Sequence, residues 1–138
     1  MRKIVLASHG ELAGGLADTA KMIVGNAAEE VQVYSLRPGE TADMFAEDLS
    51  RVVLDEPDTE FIILTDLYGA SVCTAMSGLV LHSNVKLFTG MNLPMLLAVC
   101  LEYTESLCDE SIAEIIMSAK AGIRYIDADC LNTENDEF

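Results

Sequence analysis

The chain has no tryptophan and few basic residues. Its 138 residues include 8 lysines and arginines against 23 aspartates and glutamates, so the formal net charge is −15. A nucleic-acid-binding protein needs a basic face, and an anionic membrane surface also attracts basic segments. The charge balance therefore argues against nucleic acid and against an anionic membrane as partners.

Long apolar runs are also missing. The apolar run within residues 1–7 is too short for a signal peptide, and no later run approaches the roughly 18 residues of a membrane span. We therefore expect a cytosolic protein. Hydrophobic residues still make up 51% of the chain, which is far too many for a disordered protein and fits one folded domain.

Paired cysteines are the third absence. The four cysteines show no CxxC spacing, and only two histidines could join them in a metal site. We therefore expect neither a zinc site nor a disulfide framework, and no cofactor. Cys73 and Cys100 lie in apolar helical stretches and are predicted to be core residues.

What the chain does contain is a regular alternation of strand and helix patterns. Strand patterns cover residues 3–8, 31–36, 60–65 and 85–89, and helix patterns cover 11–25, 41–54, 71 onward, 93–103 and 109–120. This order predicts an α/β fold with an open, mostly parallel four-stranded sheet, helices on both faces and the common strand order 2-1-3-4. The first two helices should bury the apolar residues at helical spacing, namely Leu12, Leu16, Ala20 and Ile23, then Phe45, Leu49 and Val52.

The C-terminal part predicts two smaller features. Residues 123–126 form a short, apolar, strand-like segment that follows the last helix pattern. Residues 128–138 contain four acidic residues and no basic one, which predicts a disordered acidic tail. The folded domain should therefore span residues 1–127.

Two polar residues mark the ends of neighbouring strands in this arrangement. In an open parallel sheet, ligands collect at the carboxyl ends of the strands. With strand order 2-1-3-4, His9 and Asp66 face each other there, and a carboxylate beside an imidazole fixes its tautomer and orients the ring. The alternative is a solvent-exposed histidine near an unrelated aspartate.

The segment after the third strand, residues 66–71, reads Asp-Leu-Tyr-Gly-Ala-Ser. Gly69 permits a tight turn, and Ser71 is a natural N-cap for the following helix. The free amides of the Gly69-Ala70-Ser71 turn and helix start could hold a phosphoryl group. An ordinary capped helix is the alternative.

Several motifs that would indicate a specific function are missing from the sequence. Residues 10–15 lack the Gly-Lys-Ser/Thr of a nucleotide-binding P-loop, and no GxGxxG or GxSxG motif occurs. A receiver domain would place its phosphorylated aspartate at Asp66, but it would also need an acidic pair where Ser8 and His9 stand. The second histidine, His82, is predicted to be a cation at a helix C-terminus.

Three segments together resemble a known family. Ser-His-Gly at 8–10, Asp-Leu-Tyr-Gly-Ala-Ser at 66–71 and Thr-Gly-Met-Asn-Leu-Pro-Met-Leu at 89–96 are similar to the IIA domain of the mannose family of the bacterial sugar phosphotransferase system. The resemblance covers residues 1 to about 127. Where that family usually has Gly-Gly-Ser-Pro, this chain has Gly-Ala-Ser-Val at 69–72.

The resemblance implies a phosphoryl carrier. The histidine matching His9 would accept phosphate from the carrier protein HPr and pass it to a IIB domain, which serves sugar uptake through the membrane components IIC and IID. Asp66 would hydrogen-bond the other ring nitrogen, and Ser71 would lie beside the phosphoryl group. The resemblance also implies a homodimer in which the strand at 123–126 is exchanged, and pairing with a second subunit would bury its apolar side chains.

Other functions remain open from the sequence. One is a IIA-type phosphoryl donor for dihydroxyacetone kinase, and another is a regulatory module that binds partners according to its phosphorylation. The last is a small hydrolase or a flavodoxin-like binding protein. Acid-labile phosphate acquired from HPr would separate these classes.

Overall fold

A computed structural model describes the backbone of residues 1–137 and the side chains of residues 1–132. The strands are β1 Arg2–His9, β2 Gln32–Leu36, β3 Glu60–Thr65 and β4 Val85–Phe88. The α-helices are α1 Leu12–Val24, α2 Asp43–Asp55, α3 Ser71–Ser77, α4 Leu93–Leu97, α5 Asp109–Ala121 and α6 Ala128–Glu137. A π-helical turn, Ala98–Glu102, extends α4. Within the described backbone, no helix combines the length and apolarity that crossing a membrane requires.

The sheet is parallel throughout and has the predicted strand order β2-β1-β3-β4. Strand β1 lies in the middle, with Val5 paired to Gln32 on one side and to Ile63 on the other. Val5 to Ser8 are fully buried, because β1 has a neighbouring strand on each side and helices cover both faces of the sheet. This position brings the end of β1 next to the end of β3, which carries the candidate site.

Two apolar cores cover the two faces of the sheet. Leu6, Ile62 and Leu64 pack with α1, α4 and α5 on one face. Val5 and Ile63 pack with α2 and α3 on the other. Alternation along the strands therefore buries both faces, as a doubly covered parallel sheet requires. Cys73 and Cys100 are buried, as predicted.

The buried faces of the first two helices differ from the prediction. Helix α1 buries Ala20 as predicted, and Leu16 packs partly buried against the same core. Leu12 and Ile23, however, are 49% and 57% exposed, and the other fully buried residues of α1 are Ala13 and Ala17, whose small side chains let the helix lie close to the sheet. Helix α2 buries Leu49 as predicted, but Val53 replaces Val52 on its inner face.

The predicted strand at 123–126 is absent from the described chain. These residues are coil, and Ile123 and Ile126 are 77% and 67% exposed. A strand exists only through hydrogen bonds to a neighbouring strand, and the sheet's own pairings do not include this segment. Exchange of the segment between subunits stays a prediction.

Within the predicted acidic tail, Ala128–Glu137 is described as helix α6. Asp127 starts this helix, because its Oδ1 accepts a hydrogen bond from the Cys130 amide at 3.0 Å. An aspartate at this position satisfies an amide that would otherwise lack a partner. Phe138, the last residue of the predicted tail, lies outside the described residues.

Candidate functional site

The candidate site lies at the carboxyl edge of the sheet, where β1 and β3 end side by side. His9 is the last residue of β1, and Asp66 follows the last residue of β3. The register pairs Ala7 with Thr65, so the next residues of both strands leave the sheet together. The structure therefore brings His9 and Asp66 into contact, as the strand order predicts.

Asp66 holds three hydrogen bonds with its two oxygens. Its Oδ2 accepts from the backbone amide of His9 at 2.8 Å and pairs with the ring Nδ1 of His9 at 2.7 Å. Its Oδ1 accepts from the Leu67 amide at 2.9 Å. Burial of the carboxyl raises its pKa, but the hydrogen bonds from His9 and Leu67 outweigh burial, and the pKa of Asp66 lies below its ordinary value. Asp66 is therefore ionised at neutral pH.

The two nitrogens of the His9 ring have different partners. An ionised carboxylate only accepts hydrogen bonds, so the proton of the neutral ring is assigned to Nδ1. This leaves a lone pair on Nε2, which lies 3.0 Å from the hydroxyl oxygen of Ser71. The side chain of His9 is 49% exposed, whereas that of Asp66 is 10% exposed. The arrangement presents an oriented, accessible nitrogen nucleophile backed by a sheltered carboxylate.

Ser71 reaches the site by a different local structure from the predicted one. The prediction that Ser71 is the N-cap of α3 is wrong: Ala70 is the N-cap, with extended backbone angles, and α3 has no side-chain cap. Ser71 is the first helical residue, so its hydroxyl is not bound to the helix amides and instead meets Nε2 of His9.

The loop before α3 needs only one glycine. Gly69 has a φ of +79°, a conformation that favours glycine. Ala70 has a φ of −78°, which any residue adopts, so the alanine in place of the family's second glycine introduces no backbone strain. The Ala70 amide donates to the Leu67 carbonyl at 3.1 Å, so the N–H of Ala70 points into the loop.

Two apolar side chains of the same loop are open to solvent beside His9. Leu67 is 64% exposed and Tyr68 is 83% exposed. Neither residue is predicted from the sequence to belong to the site. Their position in the sequence could have indicated this exposure. Two large apolar residues between a strand end and a turn glycine cannot both join the core.

A charged pair, also not predicted from the sequence, lies on the other side of β1. The Gly10 amide donates to the Leu36 carbonyl at 2.9 Å, which holds the ends of β1 and β2 together. Directly after these residues, Arg37 forms an ion pair with Glu11. The chain has 8 lysines and arginines in total, so an arginine directly after a strand end was the feature of the sequence that could have indicated this pair.

The segment 89–96 after β4, which carries part of the family resemblance, has a structural role in this arrangement. Asn92 caps α4, since its Oδ1 accepts from the Met95 amide at 3.0 Å. Its Nδ2 donates to the carbonyl of Ala119 at 2.8 Å, which ties α4 to the end of α5. The segment therefore fixes helices near the site without touching His9.

The remaining residues considered from the sequence lie elsewhere. His82 follows the helical turn after α3 and approaches Ser50 with its Nε2, at 3.4 Å from the hydroxyl oxygen. Ser8 is buried and accepts a hydrogen bond from the Ala13 amide at 2.8 Å, so it supports the start of α1. Ser8 points away from His9, as adjacent residues of a strand must.

Comparison with known proteins gives one consistent family. The family model described as PTS system fructose IIA component, EIIA-man, matches residues 3–116. The sorbose-specific EIIA component of Klebsiella pneumoniae is 32% identical over 94 residues, which cover 67% of this chain and 68% of that protein. The mannose-specific EIIAB component of Escherichia coli K12 is 27% identical over 128 residues, which cover 91% of this chain but only 39% of that longer protein.

Solved structures agree with the sequence comparisons. The phosphotransferase system component EIIA from Streptococcus agalactiae has a TM-score of 0.78 and 29% identity, covering 91% of this chain and 97% of that one. The PTS IIA protein associated with the fucose utilization operon of Streptococcus pneumoniae has a TM-score of 0.73 and 30% identity, covering 90% and 92%. The named sugars differ among these proteins, whereas the IIA designation is common to those named here.

Proposed function

Since this chain belongs to the EIIA-man family of phosphotransferase-system IIA components, we propose that it carries a phosphoryl group on Nε2 of His9. The group comes from phospho-HPr and passes to a IIB domain that phosphorylates a sugar during uptake. The observation that carries the proposal is the 2.7 Å contact between Nδ1 of a half-exposed imidazole and the sheltered Asp66 carboxylate. Residues 1–127 form the proposed IIA domain.

In the first step, the lone pair of His9 Nε2 attacks phosphorus and the nitrogen–phosphorus bond of the donor histidine breaks. The proton on His9 Nδ1 stays in place, so the phosphorylated ring carries positive charge. Asp66 stabilises that charge and is not modified itself. Transfer to the IIB domain is the same step in reverse, with an acceptor nitrogen or thiolate of that domain as the nucleophile. Positioning and charge stabilisation are what a protein supplies to phosphoryl transfer.

Ser71 takes part in this proposal as a phosphoryl-binding residue. Its hydroxyl lies 3.0 Å from Nε2, so it occupies the direction in which the phosphoryl group must bind. Rotation of the Ser71 side chain frees Nε2, after which the hydroxyl donates to a phosphoryl oxygen. The left-handed backbone of Gly69 shapes the turn that carries Ser71 to this position.

Docking of two proteins in turn requires an accessible site with apolar surface that a partner can bury. Leu67 and Tyr68 supply exposed apolar surface beside His9, which suits burial against HPr and then against the IIB domain. The net charge of −15 would repel an equally acidic partner, so steering needs positive groups on both partners. The chain would act in the cytoplasm, beside the membrane components IIC and IID.

A homodimer is the proposed assembly. Strand β4 is at the edge of the sheet, and beside it lies a groove of about 370 Å³ lined by apolar residues that include Phe88, Met95 and Ile116. Unpaired strand edges invite pairing with a further strand. Ile123, Tyr125 and Ile126 have exposed side chains. In a second copy of the chain, the same apolar segment would fit this edge.

The test of the carrier function is phosphorylation by phosphoenolpyruvate, enzyme I and HPr. Wild type should gain one acid-labile phosphate, and His9→Ala should gain none. His82→Ala is the matched control, because it removes the other histidine and should be phosphorylated like wild type. Acid-stable phosphate, or full phosphorylation of His9→Ala, would reject the proposal.

A further inference from the structure

The site contains a hydrogen-bonded chain of three side chains. The Asp66 carboxylate contacts Nδ1 of His9 at 2.7 Å, and Nε2 of His9 lies 3.0 Å from the Ser71 hydroxyl. A carboxylate that orients an imidazole, which in turn faces a serine hydroxyl, is the arrangement that activates serine nucleophiles. We propose that Ser71 is itself a nucleophile that small activated esters acylate, a second activity distinct from phosphoryl transfer.

Proton positions in the chain favour this reaction. With its proton on Nδ1, the ring has an unprotonated Nε2 facing the hydroxyl, so His9 can accept the Ser71 proton as a general base. Ser71 is exposed, and its hydroxyl does not cap α3. The serine is therefore both accessible and free to attack.

The reaction needs no reactant other than the ester and water. Ser71 Oγ attacks the carbonyl carbon of the ester while His9 Nε2 takes the hydroxyl proton. The bond from carbon to the leaving phenolate breaks, leaving an acylated Ser71, and His9 gives its proton to the phenolate or to solvent. Water then attacks the acyl group with the same base, which releases the carboxylic acid and restores Ser71.

The openness of the site defines the class of ester. His9 is 49% exposed at its side chain and the neighbouring Tyr68 is 83% exposed, so little of a bound substrate would be shielded from water. Weak binding of that kind leaves only esters with good leaving groups as substrates. The exposed side chains of Leu67 and Tyr68 favour aryl over alkyl esters, because they offer apolar surface for an aromatic ring.

The first test is labelling with a fluorophosphonate, in which Ser71 Oγ would displace fluoride from phosphorus and form a stable adduct. Peptide mass spectrometry should locate the adduct on Ser71. Ser77→Ala is the matched control, because Ser77 is an exposed serine of the same helix whose hydroxyl donates to the Cys73 carbonyl at 2.7 Å. This variant should label like wild type, and Ser71→Ala should not label. Wild type without label, or with label elsewhere, would overturn the proposal.

The second test is the initial burst of p-nitrophenol from p-nitrophenyl acetate. Wild type should release it at least tenfold faster than Ser71→Ala, and Asp66→Ala should resemble Ser71→Ala. Direct acetylation of His9 would keep the burst in Ser71→Ala, which would overturn the assignment of Ser71. Phosphorylation of wild type by phospho-HPr is measured in parallel. Because His9 and not Ser71 accepts that phosphate, loss of phosphorylation with a retained burst marks failure of the carrier function, and loss of the burst with retained phosphorylation marks failure of serine acylation.

Discussion

Oδ2 of Asp66 accepts hydrogen bonds from both the backbone amide and the ring Nδ1 of His9, at 2.8 and 2.7 Å. One oxygen thus ties the orientation of the imidazole to the backbone at the end of β1. The ring cannot rotate about its side-chain bonds without losing a hydrogen bond to a charged oxygen, which contributes more than a neutral one. Nε2 is therefore held toward the Ser71 hydroxyl, on the side from which the proposed phosphoryl donor would approach.

Removal of that carboxylate should slow phosphorylation without unfolding the protein. Asp66→Ala loses the group that orients His9 and stabilises the charged ring, so transfer from phospho-HPr should slow by more than about tenfold, roughly 1.4 kcal/mol of transition-state stabilisation. Rapid-quench phosphorylation measures the rate, and circular dichroism checks the fold. Asp58→Ala, in the turn before β3, is the control and should keep the wild-type rate. Equal rates in both variants would remove Asp66 from the mechanism.

The stability of the fold should depend on the ionisation of Asp66. Hydrogen bonds lower its pKa in the folded protein below its ordinary value, which is about 3.9 in an unfolded chain. A lowered folded pKa means that the stabilisation is fully present above the unfolded value and is lost as the pH falls through the folded value. The difference in free energy of unfolding between wild type and Asp66→Asn should therefore shrink between pH 7 and pH 3. Urea denaturation at both pH values measures it, and a constant difference would contradict the expectation.

Gly69 should resist substitution for reasons of backbone conformation alone. Its φ is +79°, and an added Cβ would meet no atom within 4 Å. Gly69→Ala should thus destabilise the protein by about 1 kcal/mol through the left-handed backbone. Gly15→Ala is the opposite case, since Gly15 lies inside α1 with equally open space. That variant should gain about 0.5–1 kcal/mol. Urea denaturation measures both, and a loss of stability in the two variants alike would contradict the argument.

The apolar segment after α5 should decide the oligomeric state. The double variant Tyr125→Asp with Ile126→Asp places charges on side chains that are 85% and 67% exposed in the single chain, so the monomer fold should be unaffected. If the segment pairs with the β4 edge of a second copy, burial of these charges opposes the dimer and the variant should sediment as a monomer. Met22→Asp, at a position 86% exposed in α1, should remain dimeric. A monomeric wild type at micromolar concentration would end the dimer proposal.

Strand order and strand ends could be predicted because they follow from simple patterns. An apolar run bounded by polar residues predicts β3 at Glu60–Thr65. The alternation of strands with helices along the chain predicts a parallel sheet. Once β1 lies between β2 and β3, contact between His9 and Asp66 follows from topology.

Details that depend on packing distance and on exact helix starts could not be predicted. The spacing of Leu12 and Ile23 fits a buried helix face, yet α1 buries alanines instead because they permit close contact with the sheet. Ser71 has the sequence signature of an N-cap, but a shift of one residue makes Ala70 the cap and turns the serine toward His9. The position of Arg37 directly after a strand end can be read from the sequence, but its pairing with Glu11 depends on how the two loops approach each other.

The most direct test of the central claim is the identity of the phosphorylated atom. Two-dimensional ¹H–¹⁵N spectra of the phosphorylated protein, with ³¹P coupling, distinguish the two nitrogens of a phosphohistidine ring. The phosphoryl group should be bonded to Nε2 of His9, with Nδ1 still protonated and hydrogen-bonded to Asp66. A phosphoryl group on Nδ1 of His9, on His82 or on Ser71 would contradict the account.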